Sequence, residues 1–140
     1  MRIIVDTSVW SLALRRKEAK LNNSEILIVD ELIELIKESR VVLIGPIRQE
    51  ILSGIVSKVQ FNKLKKKLNA FEDFFINQND YETASEFFND CRKNGIQGSH
   101  IDFLICAVSH NNDFSIFTTD KDFENYSKHI NIQLHKTREH

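Results

Sequence analysis

Proline and glycine are almost missing from this chain, with one proline and four glycines in 140 residues. So small a supply of turn and linker residues argues against long structureless stretches. No apolar run approaches the roughly 20 residues that a membrane-spanning helix needs. The N-terminus, Met1-Arg2-Ile3-Ile4-Val5-Asp6, meets a carboxylate too early for a secretory signal. The expectation is a cytoplasmic protein with no membrane association. There are two cysteines, Cys91 and Cys106, with no CxxC pairing and no histidine at ligand spacing. That speaks against zinc and for two buried free thiols in a reducing compartment. Neither charge sign dominates. The net charge is −1, which neither favours nor excludes nucleic acid.

What is present is a chain 41% hydrophobic and long enough for a single domain spanning residues 1–140. Its charge is unevenly placed. From Ile51 to Phe71 there is no acidic residue, while Lys58, Lys63, Lys65, Lys66 and Lys67 fall in that window, and Glu25–Glu38 is net acidic. Such asymmetry can guide a polyanion to one face. A solvated helix surface explains the lysines equally well.

No internal repeat or low-complexity segment interrupts the pattern. Short β-prone runs at Arg2–Val5, Arg40–Ile44, Phe75–Asn77 (a weak one), Ser115–Thr118 and Asn131–Leu134 alternate with helical periodicity. Helices are expected at Ser8–Leu14, Glu25–Glu38, from Pro46, at Gln60–Phe74, at Tyr81–Lys93 with Asp80 as cap, at about Ser99–Asn112, and at Lys121–Tyr126. Arg15–Ser24 reads as a loop. Strands alternating with helices predict an α/β protein whose parallel sheet is covered on both faces. In such sheets ligands bind beyond the carboxyl ends of the strands.

Four acids answer to that geometry. Asp6 directly follows the first strand, and Asp120 follows the Ser115–Thr118 strand. They converge if those two strands are neighbours. Glu50 projects at the margin of the Ile47/Ile51 stripe, with Gly54 one turn later leaving room beside it. Asp102 lies in the first turn of its helix. Hydrolysis of a phosphodiester needs an activated water and a means to carry charge on the phosphoryl oxygens, and a hard divalent cation supplies both. Mg²⁺ prefers oxygen ligands and keeps several waters. Without a cation, packed carboxylates repel.

Each acid also has a structural explanation. Asp6-Thr7-Ser8 can cap the next helix, and Asp102 stands three residues after Ser99 in a near capping-box arrangement. Asp120 and Asp122 can start a helix, and Glu50 can pair with a surface cation. The joint pattern shifts the balance towards chemistry. The histidines show no mutual ligand spacing. His100, two residues before Asp102, reads as a surface or capping residue. Trp10, Phe61, Phe71, Phe74 and Phe87 fall at core spacing.

The order of these segments resembles the PIN-domain family and, within it, the VapC-type toxins of prokaryotic toxin–antitoxin modules. Ile3-Ile4-Val5-Asp6-Thr7-Ser8-Val9-Trp10 resembles the N-terminal signature. Pro46-Ile47-Arg48-Gln49-Glu50-Ile51-Leu52-Ser53-Gly54 resembles the second motif, Asp102-Phe103-Leu104-Ile105-Cys106-Ala107 the third, and Thr118-Thr119-Asp120-Lys121-Asp122-Phe123 the fourth. Each is weak alone, but all four stand in order along the chain. The resemblance implies a Rossmann-like α/β/α sandwich around a five-stranded parallel sheet. It implies Mg²⁺ or Mn²⁺ held by Asp6 and Asp102, with Glu50 and Asp120 bound directly or through water, and support from Ser8, Thr118 and Asp122. It further implies an endoribonuclease cutting a structured RNA such as tRNA or rRNA, a small antitoxin as partner, and a homodimer. The candidates for holding RNA are Arg48, Lys58, Lys63 and Lys65, with Arg15 and Arg16 also local.

Rival readings remain open. An aspartyl phosphatase wants a second Asp two residues after the first, where this chain has Ser8. The others are an inactive PIN-like binding module and an RNA-processing or DNA-directed nuclease of the same fold.

Overall fold

Three residues of unbroken apolar chain, Ile3–Val5, form β1, buried on both faces as a central parallel strand requires. The computed structural model describes residues 1–138. After β1 come α1 (Thr7–Leu14), a 3-10 turn at Glu18–Lys20, α2 (Asn23–Lys37), β2 (Val41–Val42), α3 (Gly45–Leu52) and α4 (Lys58–Leu68). They are followed by α5 (Gln78–Lys93), α6 (His100–Asn112), β3 (Ser115–Phe117), α7 (Asp122–Ser127) and β4 (Gln133–Leu134). The sheet order is β2-β1-β3-β4 and every pairing is parallel.

The predicted α/β class and parallel sheet are present, but among the described residues the sheet has four strands, not five. The missing strand is Phe75–Asn77. What is left of it is one parallel bridge, Leu43 to Asp73, with Phe74 N–H donating to Leu43 O at 2.8 Å. The segment is squeezed between two helices. The residue after α4 is its cap, Asn69, and Asn77 is already the cap of α5. Phe75 is left 79% exposed, with no sheet face to bury it.

The helix ends show local chemistry winning over periodicity. α4 stops at Leu68, well short of Phe74. α5 begins earlier than Tyr81 because Asn77 and Asp80 form a reciprocal capping box, so Asp80 is the third residue of the helix and not its cap. Asn22 and Glu25 do the same for α2. Ser99 caps α6 as expected. Ser39 and Asp113 end their elements in the left-handed region.

The core runs through both faces of the sheet. Trp10 is buried, donates Nε1–H to Val5 O at 3.0 Å, and meets the Phe71 ring edge-on. Phe87 is buried, whereas Phe61, Phe71 and Phe74 are half-buried. Cys91 and Cys106 are free and buried, as expected, and burial raises both thiol pKa values. In the acidic α2 segment, Glu31 is fully buried and serves the C-terminal segment: it accepts from His135 Nε2 at 2.8 Å and from Arg138. No helix among the described residues is long and apolar enough to cross a membrane. His140 lies outside them.

Candidate active site

The β1–β3 pairing decides the site. Val5 is in register with Phe117, and Asp6 N–H donates to Phe117 O at 2.9 Å. The two chains therefore leave the sheet side by side, delivering Asp6 and Thr118 to the same carboxyl edge. Asp6 stands at the cap position of α1, yet its side chain makes no capping bond. Its Oδ2 instead accepts from Ser8 Oγ and Thr118 Oγ1, both at 2.8 Å. Those hydroxyls lie 3.3 Å apart. Ser8 Oγ also receives Thr119 N–H at 3.0 Å, and Thr118 Oγ1 receives Asp120 N–H at 3.0 Å. Ser8 and Thr118 thus lock the start of α1 to the turn after β3, with the buried residue Asp6 between them.

Glu50 reaches the same neighbourhood from α3. Its Oε1 accepts from Thr7 Oγ1 at 2.9 Å. Adjacent residues at the start of α1 therefore divide their work, Thr7 holding Glu50 and Ser8 holding Asp6. Thr7 was legible only as a possible cap.

Asp102 begins α6. Its backbone N–H donates to Ser99 Oγ at 3.0 Å, but its carboxylate does not close a capping box. Oδ2 accepts from Tyr126 Oη at 2.8 Å instead. Burial raises the Asp102 pKa, the Tyr126 and Ser99 bonds oppose that, and the negative charges of Asp6 and Asp120 add to the rise. Asp102 thus lies within electrostatic reach of Asp6 and of Asp120. Asp120 keeps part of its structural role, with Oδ1 accepting from Asp122 N–H at 2.9 Å. Asp122 itself is exposed at the start of α7.

Among the described residues, no ion pair engages Asp6, Glu50, Asp102 or Asp120. Nor do three Asp, Glu, His or Cys side chains there form a ready-made metal cage. The donors are all hard oxygens without a protein counter-ion. They fit a cation that needs one or two direct carboxylates and keeps its waters, as Mg²⁺ does, better than one requiring a closed protein shell.

The basic candidates separate. Arg48 is committed elsewhere. Nε pairs with Asp73 Oδ1 at 2.9 Å, Nη1 donates to Leu68 O at 3.1 Å, and Nη2 donates to Phe71 O. It braces the stretch between α4 and α5, so its guanidinium donors are engaged within the chain. Arg16 pairs with Glu25 at 2.8 Å. Lys58, Lys63 and Lys65 are exposed on α4, which packs against α3. Arg15 is exposed, and its Nη2 would stand 3.8 Å from a Cβ at Gly54. Gly54 lies one turn after Glu50 and has φ +83°, so its lack of a side chain serves the backbone as well as the space. His100 stacks on Phe88 and plays no part in the acidic cluster. A polar groove of about 550 Å³, lined by Ser8, Ser11, Arg16, Thr118, Thr119 and His135, opens beside the hydroxyls that hold Asp6.

An all-parallel α/β protein that gathers carboxylates beyond the ends of adjacent strands defines a broad class with its ligand site at the sheet edge. Within that class the chain belongs to the PIN domain family, which matches residues 3–129. Comparison with curated proteins gives no match. Among solved structures, the chain is similar to one in FitAcB from Neisseria gonorrhoeae, with TM-score 0.74 and 18% identity over 96% of this chain and 97% of that one. It is also similar to one in VapBC2 from Rickettsia felis bound to a promoter DNA fragment, with TM-score 0.75 and 17% identity over 96% and 98%. A third, in VapBC-1 from nontypeable Haemophilus influenzae, gives 0.70 and 14% over 96% and 97%. At these identities the likeness is one of fold.

Proposed function

We propose that the protein is a metal-dependent endoribonuclease, the toxin of a toxin–antitoxin pair. The observation that supports this reading is that Asp6 leaves β1 beside the Thr118–Asp120 turn, with Asp102 close enough for the charges of Asp6 and Asp120 to raise its pKa, and that no ion pair among the described residues engages these acids. Asp6 and Asp102 are the residues that would hold Mg²⁺ or Mn²⁺, with Glu50 and Asp120 acting directly or through water. The ion would supply Lewis acidity to the phosphodiester and lower the pKa of a bound water. The chain's own part is orientation. Ser8 and Thr118 hold Asp6, Thr7 holds Glu50, and the turn Thr118–Asp122 presents Asp120. Arg15, whose guanidinium lies beside Gly54 just after α3 and makes no ion pair among the described residues, would meet an RNA phosphate. The lysines Lys58, Lys63 and Lys65 would add affinity independent of sequence.

The antitoxin part rests on fold likeness to chains solved in VapBC and FitAcB complexes and on an exposed apolar face. Ile26, Leu27, Ile33 and Ile36 of α2 are each 37–51% exposed. Of these, Ile26 and Ile33 line a groove of about 190 Å³ shared with Leu12 and Ala13 of α1. A small apolar segment of a partner would cover them. The homodimer and the cytoplasmic location belong to the same proposal.

The test is cleavage of total cellular RNA by wild type and Asp102→Asn, with Mg²⁺, with Mn²⁺ and with EDTA, followed by mapping of the new ends. Discrete cuts that need the cation and vanish in the variant are the expected result. Equal cutting by both proteins would reveal a contaminant. Cutting of DNA in preference to RNA would move the reading to a DNA-directed nuclease. Absence of cutting, with no Mn²⁺ stabilisation, would leave an inactive binding module.

A further inference from the structure

We propose that Tyr126 is a positioning residue for Asp102: its phenol occupies Asp102 Oδ2 and leaves Oδ1 as the single oxygen offered to the cation. The inference rests on the metal-dependent reading above and deepens it.

Tyr126 is fully buried on α7, with its ring packed at 4.8 Å from Phe103 and 5.3 Å from Phe123. Its O–H donates to Asp102 Oδ2 across two elements of the chain. It reaches that oxygen because residue 98 has no side chain. A Cβ at Gly98 would collide with Tyr126 Oη and lie 2.8 Å from Tyr126 Cζ and 2.9 Å from Phe103 Cε2. Gly98 does not have a positive φ, so the backbone alone does not require glycine there. The requirement is steric and comes from the tyrosine.

The opposite wall of the cluster follows the same rule. Asp6 Oδ2 is taken by Ser8 and Thr118, and among the described residues no hydrogen bond engages Oδ1 of either aspartate. Each acid therefore keeps one oxygen, Oδ1, free of hydrogen bonds among the described residues. One-oxygen carboxylates suit a small octahedral ion that keeps its waters, whereas Ca²⁺ takes six to eight oxygens and welcomes bidentate carboxylates. Tyr126 thus favours Mg²⁺ or Mn²⁺ over Ca²⁺. The competing account is that a buried phenol needs an acceptor and Asp102 happens to supply it. That account predicts no effect on metal binding.

Calorimetric titration of Mn²⁺ and of Ca²⁺ into wild type and Tyr126→Phe separates the two. The expected result is a loss of about 10–100-fold in Mn²⁺ affinity, the usual effect of removing an outer-shell partner, with a smaller loss for Ca²⁺. Equal Mn²⁺ affinity in both proteins overturns the inference, and equal losses for both ions overturn its one-oxygen basis. Failure of wild type to bind Mn²⁺ overturns the metal-dependent reading itself, a distinguishable outcome. A second measurement does not depend on Tyr126→Phe folding. Of the two tyrosines, Tyr81 is 54% exposed beside α6, so Tyr81→Phe leaves Tyr126 as the only tyrosine chromophore. Saturating Mg²⁺ is expected to shift its near-ultraviolet absorption, and an unchanged spectrum at saturation overturns the contact's role.

Discussion

Arg48→Gln separates bracing from RNA binding more cleanly than any other substitution. The guanidinium makes one ion pair, to Asp73, and two bonds to backbone carbonyls, at Leu68 and Phe71. The pair is partly exposed, at 22% and 42% of the two side chains, so it is worth about 0.5–1 kcal/mol. The two carbonyl bonds contribute about 1 kcal/mol each. Phe71, one of those carbonyl bearers, also packs edge-on against buried Trp10, so loosening it disturbs the core. A total loss of about 2–3 kcal/mol follows, which in a domain of this size lowers Tm by roughly 10 °C. The assay pairs thermal unfolding with RNA affinity at several salt concentrations. A phosphate contact on single-stranded RNA contributes about 0.7 to the slope of log affinity against log salt. The expected outcome is a clear drop in Tm with the slope unchanged. An unchanged Tm with a shallower slope would refute the argument and return Arg48 to the RNA interface.

Three other outcomes follow from the same geometry. Burial first, then Asp6 and Asp120, raise the Asp102 pKa above its ordinary 3.8, so without metal the folded chain holds that proton longer than the unfolded chain does. Stability then falls as pH rises through the window above 3.8, because the folded state binds more protons there. Denaturant melts in EDTA from about pH 4 to about pH 7 should show this decline in wild type and lose it in Asp102→Asn, and identical slopes would count against it. Thr118→Val keeps the shape but removes the hydroxyl that holds Asp6 and receives Asp120 N–H. A stability loss of about 1–3 kcal/mol with about 10–100-fold slower cleavage is expected, and an unaltered protein would make the hydroxyl a bystander. Arg15→Ala in the Asp102→Asn background should leave stability within about 0.5 kcal/mol of its parent and reduce the RNA salt slope by about 0.7. An unchanged slope would remove Arg15 from the interface.

How far such a site can be read from sequence depends on the range of the forces that build it. Asp6 and Asp120 were legible because a strand is a straight delivery device: once β1 and β3 are parallel neighbours, the residues after them share an edge. Ser8 and Thr118 were legible only through the family motifs, and Thr7 not as a partner of Glu50, because the bonds Thr7–Glu50, Ser8–Thr118 and Thr118–Asp6 span 43 to 112 residues of chain. Tyr126 gave no signal at all. In the sequence it is one more aromatic in a short helix, and its meaning depends on Gly98, which reads as an ordinary break. The fifth strand was overread for the opposite reason. Phe75-Ile76-Asn77 has local β propensity, but Asn77 is also half of a capping box, and a helix cap satisfies backbone donors more cheaply than a strand with one bridge. Arg48, a cation beside an acidic motif, looks available in the sequence, which does not show the carbonyls it serves. In each case local pattern identified the carboxylates, and tertiary contact decided which of their oxygens are free. That division is why the difference between Oδ1 and Oδ2 of Asp6 and of Asp102, on which the proposed cation site turns, is one that no motif carries.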